Sequence, residues 1–347
     1  MPLRLDDGRL RVPEDREPAL PPHVEREREV AAAVDEGFLL AAEPHDALVA
    51  EPLLAGIHAG DVDRLSLHAL FPRFAETERK HGSLLRAFRR QRRPPSADGA
   101  FKSLVGGMSE LVRALVAALA PGTVCLKTPA TAIRGTGPFV VETASGPQEA
   151  RAVVMATPAF QTAVLMRDYD PALSRLCDEI PYASIATIAF AFPRSAVAHP
   201  LNGSGYVVPR TEANGILAAS WLSSKWPHRA PDGTVLMRTF VGGARDPHAL
   251  ERTDAELVAQ SLSAVRPVLG ITGEPTFVRV YRFPRASAQH EVGHSERMAS
   301  IDRLVGTHPG LFVTGSGFRG VGIPDGIADA RATARQVAAW LSTRDQP

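Results

Sequence analysis

One stretch constrains the fold of this chain more than any other: residues 311–326, LFVTGSGFRGVGIPDG, where an apolar run breaks into glycines before a helix-forming sequence. Gly315-Ser316-Gly317-Phe318-Arg319-Gly320 matches G-x-G-x-x-G. A dinucleotide fingerprint also needs a strand before it, a helix opening on its glycines and an acidic residue about 20 positions on, all inside a βαβ unit. Only the strand, Leu311-Phe312-Val313, is in place. The helix is expected from Pro324-Asp325, and the sequence reaches Pro347 before another strand. A chance match in so glycine-rich a chain has odds of roughly one in five. The glycines therefore need another explanation.

A strand running into a glycine-rich loop lets the backbone come close to a ligand, and Pro324 at the first helical position aims a positive helix end at that loop. A flavin suits this geometry, because the charge that collects at its N1/C2=O edge on reduction is stabilised by a helix amino terminus. A tight strand-to-helix connection without a ligand is the alternative. Spacing alone does not separate the two.

The 347 residues, 44% of them hydrophobic, suffice for a substantial core in two domains or one large α/β unit. Lys plus Arg (39) balance Asp plus Glu (38), so no global field steers the protein to nucleic acid or acidic lipid. Cys125 and Cys177 have no thiol or histidine at ligand spacing and are expected to be buried free thiols, Cys125 in a strand and Cys177 in a helix. With no signal-peptide core and no run of about 18 apolar residues, a cytoplasmic, non-spanning protein is expected.

Residues 1–30, rich in Pro, Arg and Glu, read as a loose leader. Residues 31–95 read as a helical subdomain of short helices punctuated by Pro44, Pro52, Gly56, Gly60 and Pro72, ending in a basic stretch, residues 86–99, read as a solvated loop. Residues 96–160 hold a helix capped by Ser109 and three short β-rich runs that lead to an apolar strand at residues 152–156. Residues 160–185 look helical. From Ser184 the pattern is mostly antiparallel strands, with a helix capped by Thr253 and stopped by Gly270. The class is α+β / α/β, with residues 161–300 as one domain and 301–347 returning to the first.

Hydrolase chemistry finds no support, since neither Ser204 nor Ser316 lies in a G-x-S-x-G elbow. His290-Glu291-Val292-Gly293-His294 matches the letters of H-E-x-x-H, and the two histidines are read as ordinary structural ones. No metal ligand set and no acid or base residue is assigned.

Six segments taken in order carry more information: EPLLAGIHAGDVDRLSLHALFPRFAETERKHGSLLRAF, KSLVGGMSELVRAL, GSGYVVPR with SSKWPHRAPDG, FVGGARDP, ASAQHEVGHSERM, and GLFVTGSGFRGVGIPDGIADARATARQVAAWL. Across residues 47–341 the chain resembles the flavin-dependent protoporphyrinogen/coproporphyrinogen oxidases of haem synthesis. That resemblance implies non-covalently bound FAD, a cofactor domain, a substrate domain for a tetrapyrrole, and a helical region that often meets the membrane surface. It implies removal of six electrons in three flavin cycles, with oxygen as acceptor. Carried over by position, Gly315 and Gly320 make the close turn and Val321, Gly322 and Ile323 lie against the flavin. Ala130 matches the adenine contact, Ala156, Thr157 and Pro158 the strand exit beside the ribose, and Val207 and Phe240 the walls of the substrate cavity.

There are departures. Ser204, matched to the substrate cavity, stands where the family has a ring-stacking phenylalanine; Phe283, matched to a cofactor contact, stands where many members carry tryptophan; and Ser287-Ala288-Gln289-His290 replaces Met-Pro-Gln-Tyr. The family's opening strand, G-x-G-x-x-G and helix have no counterpart before Ala47, so weaker FAD binding is expected, on the scale of one lost anchoring site. A related flavin amine oxidase or carotenoid desaturase, and a flavin-free remnant that binds porphyrins or another chain, are the competing readings.

Overall fold

In a computed structural model, the described residues are 51–83, 86–87, 102–212, 214–226 and 228–343. Their largest sheet has five antiparallel strands in the order β6-β7-β8-β5-β9. These are β5 (Tyr182–Pro193), β6 (Gly205–Val207), β7 (Ala218–Trp221), β8 (Thr234–Gly242) and β9 (Phe277–Ala288). The alternation in β5, YASIATIAFAFP, explains its interior place between β8 and β9. Ala186, Ile188, Phe190 and Phe192 point to one face and are fully buried, while Ile185, Thr187 and Ala189 point to the other.

The buried face is covered by the helix Asp254–Leu269, whose Leu257, Ala264, Val265 and Leu269 join that core. Its ends follow the sequence expectation. Thr253 and Glu256 form a capping box, and Gly270 closes the helix in the left-handed conformation at φ 58°. Thr239 Oγ1 donates to Ser261 Oγ at 2.8 Å, so the polar pair that this packing buries is satisfied.

A second core lies beside the first. Strands β1 (Ala130–Arg134), β2 (Phe139–Thr143) and β3 (Gln148–Ala150) form an antiparallel meander, and β4 (Val153–Met155) pairs in parallel with β10 (Leu311–Val313). The parallel pair brings together segments 158 residues apart (311 − 153). Helices Ala159–Met166, Pro171–Asp178 and His294–Gly306 pack around it through Met166, Leu173, Cys177, Met298 and Ile301. The helix Glu51–His58, here α1, lies against β6, where a Cβ added to Gly56 would come within 3.1 Å of Val207 Cγ1.

Several local expectations are corrected. Cys125 lies exposed in a loop rather than buried in a strand, because Pro129 and the turns around it keep that run out of any sheet. Cys177 is buried in a helix as expected, and burial pushes its thiol up to about 12. Ser109 is the first residue of its helix, not the cap; Met108 occupies the cap position without a side-chain bond. Residues 160–185 are two helices that give way to β5 at Tyr182, where the tyrosine and the alternation after it favour a strand. The leader, the first part of the helical subdomain and most of the basic stretch lie outside the described residues. Among the described residues no helix is long and apolar enough to cross a membrane.

Phe190 is fully buried at the centre of the first core. Phe190→Ala is expected to lower unfolding stability by about 3–5 kcal/mol, read as a drop in the urea midpoint at constant slope.

Candidate functional site

The parallel strands β4 and β10 end side by side. Thr314 N donates to Met155 O at 3.1 Å, so residues 156–158 and the turn after β10 leave the sheet together. Asp329 then fixes the turn, accepting from Thr314 Oγ1 at 2.6 Å and from Gly315 N at 3.1 Å. Phe318 N and Arg319 N both donate to Gly315 O, at 2.9 and 3.0 Å. Gly315 has φ +114°, and a Cβ built there would find nothing nearer than Ala156 O at 3.8 Å, so the space in front of it is open. Gly320, at φ +67°, is different. A Cβ there would strike Asp325 Cβ at 2.4 Å, so the turn can pass the helix only as glycine.

The helix that follows, α10 (Ile323–Ser342), has Gly322 at its cap with no side-chain bond. Pro324 sits one position later than the sequence suggests, because Ile323 already has helical geometry. Ser316, Gly322 and Ile323 are exposed, so among the described residues no side chain walls off the glycine-rich turn. Gly315, Gly320, Val321, Gly322 and Ile323 thus share one patch with Ala156, Thr157 and Pro158. Ala130 lies at the exposed start of β1.

Two residues first considered as a metal pair have another role. The His290 and His294 rings stack at 3.9 Å and 11°, and each reaches a carbonyl of the turn: His290 Nε2 to Ser316 O at 3.1 Å, His294 Nε2 to Phe318 O at 2.9 Å. A carbonyl only accepts, so each imidazole donates Nε2–H. Burial, and then the nearby charge of His294, push the His290 pKa down to about 4; burial also lowers those of His294 and His58. Two neutral rings can stack at this distance in a dry setting, whereas two charged ones cannot. Tyr182 supports the turn from beneath: its hydroxyl accepts from Ala159 N at 2.8 Å, and a Cβ on Gly317 would lie 2.4 Å from it. Asp329 and Tyr182 were not legible as site residues. For His290 and His294 the signal is the H-E-x-x-H lettering of residues 290–294, but both rings are spent on carbonyls of the turn and Glu291 pairs with Arg64.

A second patch lies on the open face of the five-stranded sheet. Val207, Ala218, Phe240, Thr187 and Tyr281 are aligned in register across all five strands. Phe283, 44% exposed, stands beside Ile185 one row nearer the turn. Ser204 precedes β6 and contributes its carbonyl to Trp221 N at 3.1 Å, while the residue itself is exposed.

The end of α1 joins the two patches. Ala59 packs with Phe240, and His58 O accepts from Ser287 Oγ at 2.8 Å and Gln289 Nε2 at 3.0 Å, one residue before His290. Glu51, buried on α1, pairs with Arg245 and accepts from Arg210 N at 3.1 Å, which locks the helix to the sheet.

This arrangement is the flavin amine oxidase-like fold. A crystal structure from Exiguobacterium sp. 255-15, provisionally assigned as a protoporphyrinogen oxidase, superposes with a TM-score of 0.74 at 28% identity, covering 90% of this chain and 72% of that one. Cyclohexylamine oxidase from Brevibacterium oxydans IH-35A shares the fold at 12% identity, with a TM-score of 0.59 over 98% of this chain and 79% of that one. A family profile described as flavin containing amine oxidoreductase matches residues 5–338, and the chain belongs to that family. Coproporphyrinogen III oxidase of Bacillus subtilis (strain 168) is 33% identical over 301 residues, 84% of this chain and 64% of that protein. The protein of that name from Staphylococcus aureus (strain NCTC 8325 / PS 47) is 31% identical over 304 residues, again 84% of this chain and 65% of the relative. The chloroplastic protoporphyrinogen oxidase of Nicotiana tabacum is 25% identical over 84% of this chain and 59% of its own length. The chain therefore spans just under two thirds of the curated relatives it matches.

His290 yields a pH prediction. Its folded pKa, about 4, lies below the unfolded value near 6.5, so its contribution to stability is complete above pH 6.5 and is lost as pH falls through 4. The loss is expected to be on the order of 3 kcal/mol. Urea titrations at pH 7 and pH 4 should show it in the parent chain and a shallower pH dependence in His290→Phe.

Proposed function

We propose that this chain carries out, or forms the larger part of a protein that carries out, the FAD-dependent oxidation of a porphyrinogen to its porphyrin with oxygen as acceptor. The observation that carries this reading is the kinship with coproporphyrinogen III oxidases at 33% and 31% identity over 84% of the chain. Coproporphyrinogen III is the preferred substrate on the same ground, protoporphyrinogen oxidase of Nicotiana tabacum being more distant at 25%. The reaction belongs to haem synthesis, and the localisation that goes with it is cytoplasmic.

The residues present fit a flavin. The turn at Gly315 leaves an open cradle that a side chain would fill, and the helix start at Gly322 and Ile323 is uncapped and exposed beside it. Val321, Gly322 and Ile323 would lie against the ring system, with Ala156, Thr157 and Pro158 along the ribose side and Ala130 toward the adenine. FAD, when bound, supplies the two-electron acceptor for each dehydrogenation. Each round removes two electrons and two hydrogens from the porphyrinogen and reduces one O2 to H2O2, so three rounds yield the porphyrin. The part of this chain is orientation: Val207 and Phe240 present an apolar wall with Ser204 at its edge, Phe283 would meet the cofactor, and α1 holds that wall at a fixed distance from the turn. In domain terms, residues 96–160 and 301–347 would serve the cofactor, 161–300 the substrate, and 31–95 the joint between them.

Coproporphyrinogen III incubated with the chain and FAD in air should give coproporphyrin faster than FAD alone, followed by porphyrin absorption. Equal rates with and without the chain would sink the proposal. Gly315→Val, which places two methyl groups in the cradle, is expected to weaken FAD binding at least about tenfold, read by quenching of flavin fluorescence.

A further inference from the structure

The open face of the five-stranded sheet is shaped as a trough. Its floor is β5, whose residues on this side are small: Thr187, Ala189 and Ala191. Its walls are the large residues that pair with them. Thr187 lies between Phe240 and Tyr281, and Ala189 lies between Arg238 and Arg279. Neighbouring strands stand about 4.8 Å apart, so the two arginine Cα positions face each other across roughly 10 Å with one methyl group between them. Their long side chains rise well above that floor.

Several arginines on and around this sheet and its helix have an acidic partner. Arg282, on the other side of β9, pairs with Asp254, and Arg266 and Arg252 pair with Glu274 and Asp246. Arg238 and Arg279 do not. Among the described residues no carboxylate reaches either guanidinium. Arg238 lies over the Phe240 ring at 4.7 Å and donates Nε–H to Ser220 Oγ at 3.4 Å, which leaves its terminal nitrogens available. Arg279 lies over Phe277 at 5.4 Å. Lys225 stands near enough for Arg238 to add to the depression of its pKa, after burial, so a further cation adjoins Arg238. Aromatic rings beneath cations with unused donors make a surface suited to a flat apolar ligand that carries carboxylates.

The trough also has a direction. Phe283 lies beside Ile185 at the end that leads through Arg285 and Tyr182 to the glycine turn, and the arginine row lies four β5 residues beyond Ile185, roughly 13 Å away. A ligand lying along β5 would therefore turn one edge to the glycine turn and the other to the arginines.

We propose that Arg238 and Arg279 are the carboxylate anchors of the substrate site, gripping two carboxylates on one edge of a tetrapyrrole whose macrocycle lies over Phe240 and Tyr281. This rests on the porphyrinogen reading above, and it adds which residues recognise the periphery of the ring and which way the ring points. The arginines choose for carboxylates; the aromatic row accepts any macrocycle.

The test titrates the 347-residue chain with coproporphyrin III and with its tetramethyl ester, following porphyrin fluorescence. The parent chain should bind the acid more tightly than the ester. Arg238→Ala and Arg279→Ala should each cut affinity for the acid about tenfold and leave the ester within about twofold, with Arg238→Lys and Arg279→Lys recovering part of the loss. Phe240→Ala should weaken both ligands alike. Circular dichroism separates a loss of fold from a loss of contact, and any variant that unfolds is replaced by its lysine counterpart. If the parent binds the acid and both arginine variants keep its preference over the ester, the anchors are wrong while the porphyrin reading survives. If the parent binds neither porphyrin, both fail.

Discussion

The period-two alternation of β5 is the constraint on which the two halves of this molecule depend. Ala186, Ile188, Phe190 and Phe192 are spent on the core beneath the capped helix, which commits Ile185, Thr187, Ala189 and Ala191 to the opposite face. A slip of one residue would exchange the two sets, exposing phenylalanines and burying a threonine, so the hydrophobic effect holds the register without help from the turns. The same strand begins at Tyr182, whose hydroxyl meets Ala159 N under the glycine turn. One strand therefore fixes both the floor of the apolar wall and the support of the turn.

Order in the turn comes from polar groups that are satisfied away from water. Asp329 reaches back from the helix to hold the start of the turn, and two neutral imidazoles hold its middle. Each of these bonds uses a backbone group that would otherwise have to be solvated, and each leaves the outer surface of the turn bare. The site is thus stiff on its inner side and open on its outer side. Binding a planar cofactor or a planar substrate requires that combination, since neither the turn nor the sheet has to be ordered at the moment of binding.

Much of the architecture was legible. The Leu311-Phe312-Val313 strand, the glycines after it and the helix beyond are local signals, as are Thr253 with Glu256 and Gly270 at the ends of one helix. The family was legible too, because six ordered segments are hard to match by accident. What misled were weak local signals without a packing partner: Ser109 as a cap and Cys125 as a strand residue. Both lie among residues 102–128, where few side chains are buried and local propensity has nothing to reinforce it.

By itself the sequence determined the elements that depend on near neighbours: alternation in β5, capping, the glycine turn and the order of helices and strands. Tertiary structure alone decided the rest. That His290 and His294 stack under Ser316 and Phe318, that Asp329 reaches Gly315, and that Arg238 and Arg279 face each other across Ala189 all depend on strand register and helix docking between distant segments. Register is set by the sum of many buried contacts, and no short stretch of residues contains that sum.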